Sequence, residues 1–181
     1  MRTLLICCLL TASVIHAGAT VLVPTDLTGL SHDALAIVRG RVASVDARWT
    51  ADHRTIETIV TLEAESYLKG ALGETVQFRV PGGVLGRYRS IVVGAPAFAV
   101  DQHVVVFLGA RGPSVPFVVG FSQGVFRMVR STDSARWLVT PPTDLRPATG
   151  TVPIIRGDPS RRPLTLDDFE QRVRSLVGSQ R

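Results

Sequence analysis

A chain of 181 residues with a formal net charge of +5 and two cysteines has the length of one self-sufficient domain and too few thiols for a disulfide framework. Arginine supplies nearly all of the positive charge, Lys69 being the one lysine. A modest surplus spread along the chain reads as a solvated surface, and it excludes neither an acidic polymer nor an anionic head group as a partner.

The N-terminus has the three-part layout of an export signal over residues 1–19. Arg2 provides the charge, an apolar run extends from Leu4 to Leu10, and small residues follow at Ala17, Gly18 and Ala19. Thr11, Ser13 and His16 interrupt the run, which falls short of the roughly 20 apolar residues a membrane span requires. Cleavage is expected after Ala19, with Ala17 as the alternative, so that Thr20 becomes the N-terminus and no membrane anchor remains. Cys7 and Cys8 lie inside the apolar run, where a lipid-attachment cysteine does not sit, and both leave with the leader. Disulfide, thiolate-zinc and cysteine-nucleophile chemistry leave with them. Export also turns the basic charge away from nucleic acid and towards envelope polymers or other exported proteins. The expected location is therefore the periplasm or the medium.

Residues 35–46 alternate Val38, Gly40 and Val42 with Ile37, Arg39 and Arg41, the period of a half-buried strand, and Ser31 is placed to cap a helical turn before it. A second strand is predicted over residues 55–67, with Val60 and Leu62 on one face and Glu57, Thr61, Glu63 and Glu65 on the other. The polar residues 50–54 join the two as a hairpin. Val76, Phe78 and Val80 mark a third strand, broken by Pro81, Gly82, Gly83 and Gly86 into a loop, and a second loop runs through Gly94, Ala95 and Pro96. The unbroken apolar run at residues 104–108 predicts a central strand. Short strands at residues 117–121 and 125–129 bracket a tight turn at Ser122, Gln123 and Gly124, and residues 136–140 add one more strand. Residues 141–163 hold six prolines and read as a linker. Thr165 caps a C-terminal helix over residues 164–178, with Leu166, Phe169, Val173, Leu176 and Val177 at helical spacing. Strands at intervals of about ten residues, ended by one helix, predict a mainly β domain over residues 20–140. The expected architecture is a small OB-like closed or partly closed barrel with the helix packed on it, and a β-sandwich is the alternative.

Gly120, Ser122 and Gly124 spell G-x-S-x-G, the nucleophile elbow of α/β-hydrolases. That elbow needs a following helix and a later histidine. Here the next residues read as a strand, and His32, His53 and His103 all precede the serine. A hairpin turn is the expectation, a serine hydrolase using Ser122 the alternative, and no catalytic residue is assigned. The three histidines have no metal-ligand spacing, so neither a metal nor a cofactor is expected. Two basic loops with an aromatic side chain are the candidates for binding an anion or a sugar. Arg87 and Tyr88 occupy one of them, and Trp49, flanked by Arg48 and Arg54, occupies the other.

The segments I-V-R-G-R-V from Ile37, T-I-V-T-L-E-A-E-S-Y-L-K-G from Thr58, the run 104–108, V-G-F-S-Q-G-V-F from Val119 and the helix L-T-L-D-D-F-E-Q-R-V from Leu164 can be taken together. With the leader, they resemble uncharacterised exported bacterial proteins, similar in outline to the OB-like barrel of netrin-type modules and tissue metalloprotease inhibitors. The resemblance implies a non-enzymatic binding or assembly module, with a partner of a secreted metalloprotease as one form of it. Those inhibitors present an N-terminal cysteine to the protease zinc, and a chain beginning at Thr20 has none to present.

Overall fold

The computed structural model describes residues 24–112, 114–142 and 162–179. The export signal expected over residues 1–19 and most of the linker expected over residues 141–163 lie outside these residues.

A short helix, α1 (Leu27–Asp33), precedes the sheet, and its N-cap is Asp26, whose carboxylate accepts the Gly29 N–H at 2.8 Å. Ser31, expected as the cap, is instead fully buried within the helix, where its hydroxyl donates to the Leu27 carbonyl. The C-terminal carbonyls of α1 are satisfied from a distance: Lys69 Nζ donates to those of Ser31 and His32 at 2.7 and 3.1 Å. The single lysine thus fastens the end of a strand to the end of a helix.

Strands β1 (Ala36–Trp49) and β2 (Ile56–Lys69) form a long antiparallel hairpin, and β3 (Thr75–Pro81) adds to β2. Residues 82–102, expected as loops, contain a separate two-stranded ribbon of β4 (Gly83–Leu85) and β5 (Tyr88–Ser90). Strand β6 (His103–Gly109) pairs with β1 along one edge. Its other edge is shared by β7 (Phe117–Val118) and β8 (Val125–Arg130). The turn at Phe121–Gly124 therefore does not reverse the chain as a hairpin would. It is a single turn of 3-10 helix bulging from one interrupted partner of β6. Strands β9 (Trp137–Thr140) and β10 (Leu164–Thr165) extend the sheet beyond β8, and helix α2 (Leu166–Gly178) follows directly.

The circuit β1, β2, β3, β7, β6 and back to β1 curls the sheet into a partial ring. Closure between β3 and β7 rests on one parallel pair, Arg79 with Phe117, supported by the Arg79 N–H donating to the Pro116 carbonyl at 2.8 Å. The described main sheet is thus one curled layer of eight strands rather than the two stacked layers of a sandwich.

Strand β6 is apolar on both faces because each face meets a different core. Val104, Val106 and Leu108 point into the ring with Val38, Val42, Val60, Leu62, Phe78 and Val118. Val105 and Phe107 point outwards and are covered by Leu30 of α1 and by Phe169 and Val173 of α2. Helix α2 begins where Thr165 was expected to cap it, its hydroxyl oxygen accepting the Asp168 N–H.

Candidate functional site

Irregular segments gather at one end of the partial ring. The β1–β2 turn is held by Thr50, whose N–H donates to the Thr55 carbonyl at 2.9 Å and whose hydroxyl donates to Asp52 at 2.6 Å. That bond, with the Arg54 N–H, holds the Asp52 carboxyl below its ordinary value. The 3-10 turn is fixed from two sides. The Ser122 N–H donates to the Gly94 carbonyl at 2.9 Å, and the fully buried Gln123 accepts the Thr25 N–H at 2.8 Å.

Between these segments lies a cleft of about 670 Å³, within the range of small-molecule sites. Thr50 and Thr55 border it from the β1–β2 turn, Ile56 and Glu57 from β2, and Arg79, Val80 and Pro81 from β3. Arg111, Phe117 and Val118 close it from the β6–β7 connection, and Gly120 with Phe121 from the 3-10 turn. The Arg111 guanidinium lies 5.5 Å from the Phe117 ring centroid, a cation–π distance. Glu57 is held across the β1–β2 pair by Arg48 at 2.9 Å, so its charge is balanced outside the cleft. Phe121 has φ of 55°, a left-handed conformation that is strained for a bulky side chain.

The residues singled out from sequence assemble beside this cleft rather than within its lining. Trp49, last residue of β1, meets Tyr88 of β5 edge to face at 5.3 Å. Arg87 donates to the Tyr88 hydroxyl at 2.9 Å and lies 5.0 Å from the ring centroid. The two loops proposed separately therefore form one aromatic and basic cluster, in which Arg87 and Tyr88 are exposed and Trp49 is half-buried. None of its three residues lines the cleft.

Arg79, Arg111, Phe117 and Phe121 were not singled out from sequence. Arg79 is the one signal available, a charged and half-buried residue between Phe78 and Val80 on an otherwise regular strand. Arg111 and Phe121 sit in irregular segments, and Phe117 on a two-residue strand, whose placement depends on how β7 and β8 share the edge of β6.

Ser122 stands on the 3-10 turn and is followed by β8, not by the helix an elbow requires. The flanking glycines have backbone reasons. Gly120 has φ of 66°, and a Cβ on Gly124 would fall 2.0 Å from the Val119 carbonyl oxygen. His103 is engaged elsewhere, 3.0 Å from Glu65 and packed against Trp137 at 4.7 Å between ring centroids. Among the described residues no three His, Cys, Asp or Glu side chains gather as a metal site, and no helix is long and apolar enough to cross a membrane.

Comparison with protein families, with curated proteins and with solved structures returned no match.

Proposed function

We propose that this chain is an exported, non-enzymatic binding module whose site is the cleft at the open end of an OB-like ring. The observation that carries the proposal is the cleft itself, formed by turns that are anchored at both ends by strands. The strand circuit favours the OB-like description: five strands in the order β1, β2, β3, β7, β6, with β3 and β7 parallel and β6 returning to β1. In OB modules the ligand lies over strands 2 and 3 between the loop joining strands 1 and 2 and the loop joining strands 4 and 5. The corresponding segments here contribute Thr50 and Thr55 on one side of the cleft and Arg111 on the other. Preformed concavity of this kind suits recognition, because little ordering entropy is lost on binding.

Export rests on the leader, and it places the binding partner in the envelope or the medium. The test is capture from an envelope fraction and from culture medium with the wild type and with Thr55→Trp, which fills the cleft. A partner or polymer retained by the wild type and lost by the variant supports the proposal. Equal retention by both removes the cleft from the role.

A further inference from the structure

The lining of the cleft sets two arginines and one glutamate in an apolar wall. Arg79 and Arg111 both line it, and among the described residues neither guanidinium has a carboxylate partner. Glu57, the carboxylate on the same wall, is occupied by Arg48. Phe117 joins the two cations: its backbone pairs with Arg79, and its ring lies under Arg111. Phe121 and Val80 continue the apolar surface.

This combination discriminates among ligands in two ways. A purely apolar molecule would strip water from two guanidiniums and return no hydrogen bonds, which costs free energy. A hydrophilic polyanion would satisfy the guanidiniums but leave Phe117 and Phe121 uncovered. A charge-assisted bond to arginine is strong and strengthens further beside a low-dielectric wall. From this juxtaposition we infer that the cleft takes a small organic acid, one anionic head on an apolar body. Its head lies on Arg79 and Arg111 and its body against Phe117 and Phe121. The inference rests on the cleft being the binding site of the proposed function.

Titration of the 15N-labelled protein, purified from expressing cells, with decanoate, decan-1-ol and trigalacturonate tests it by amide shifts. Decanoate is expected to move the amides of Arg111, Phe117 and Phe121 and to saturate, with decan-1-ol and trigalacturonate at least about tenfold weaker. Arg79→Met and Arg111→Met should each weaken decanoate about tenfold and leave decan-1-ol unchanged. Arg111 is exposed, so its variant keeps the test intact if Arg79→Met folds poorly. Equal binding of decan-1-ol, tighter binding of trigalacturonate, or unchanged decanoate affinity in Arg111→Met overturns the organic-acid inference while leaving the cleft a binding site. Absence of any shift at the cleft with all three probes removes the binding reading as well.

Discussion

Arg39 Nη1 of β1 lies 3.0 Å from Glu170 Oε1 of α2, so the first strand and the C-terminal helix are joined by an ion pair at the edge of the outer core. Arg174 also holds Glu170, at 2.7 Å, and Arg39 is a further 3.5 Å from Glu65. The Glu170 oxygen facing Arg39 makes no hydrogen bond of its own, so the contact is chiefly coulombic. Glu170 is 11% exposed at its side chain and Arg39 23%, so removing the carboxylate leaves a poorly hydrated guanidinium behind. Glu170→Ala is expected to destabilise the fold by about 1–3 kcal/mol in urea unfolding, below the full cost of breaking a buried pair because Glu65 remains.

Phe169 provides a larger effect from the same helix. Its ring is 1% exposed and lies 4.8 Å from the Phe126 centroid, in a core shared with Phe107 and Val105. Phe169→Ala should cost about 3–5 kcal/mol, the usual cost of a large aromatic cavity. Amide exchange should then rise first in α2 and in the paired strand β10.

Gly124 tests the reading of the G-x-S-x-G segment as a bulge. A methyl group there meets the Val119 carbonyl oxygen well inside contact distance, with the Val118 side chain also close. Gly124→Ala is expected to lower stability by about 1–3 kcal/mol. Loss of cleft ligand shifts should accompany it, since Gly120 and Phe121 belong to the same turn. If the variant melts like the wild type, the turn is not packed as described.

Asp52 carries the pH dependence of the β1–β2 turn. Its carboxyl is held below the ordinary value of 3.8, first by the Thr50 hydroxyl and then by the Arg54 N–H. A depressed folded-state value means that the turn's contribution is complete above the unfolded value and is lost as pH falls through the lower folded one. Thr50→Val should raise the Asp52 midpoint, read by carboxyl NMR titration, towards the ordinary value, and the turn should loosen at a correspondingly higher pH.

The expected export signal makes a prediction about the product of its cleavage. Protein recovered from the envelope or medium should begin at Thr20, or at Gly18 if the cut follows Ala17, as N-terminal sequencing would show. Ala19→Gln should shift or block processing. A mature N-terminus at Met1 in a cytoplasmic fraction would contradict export.

Much of the strand layout was legible where a strand keeps one period. Val76, Phe78 and Val80 in β3 alternate with polar partners and are buried where alternation placed them, as are Val38 and Val42 in β1, although Ile37 on the opposite face of β1 is buried too, in the outer core. The run Val104 to Leu108 marked a strand covered on both faces, and Thr165 marked the start of α2. The β4–β5 ribbon was missed because its glycines and Pro81 are turn residues first. Strand β10 was missed because two residues have no period and acquire strand geometry only by pairing with Val139 and Leu138.

The candidate site shows the same division. Sequence alone marked most of the alternating strand faces and the Thr165 cap, because these depend on residues close along the chain, whereas the cap of α1 proved to be Asp26 and not Ser31. It also marked Trp49, Arg87 and Tyr88 as aromatic and basic loop residues, but not that Trp49 and Tyr88 touch. Only the tertiary structure decided that β7 and β8 share one edge of β6, that the serine turn is a bulge, and that Phe117 pairs with Arg79 while its ring lies under Arg111. Those relationships depend on which strands pair, as when Arg79 meets Phe117 and Val104 meets Arg127. Local periodicity says which face a side chain takes but not which strand lies beside it.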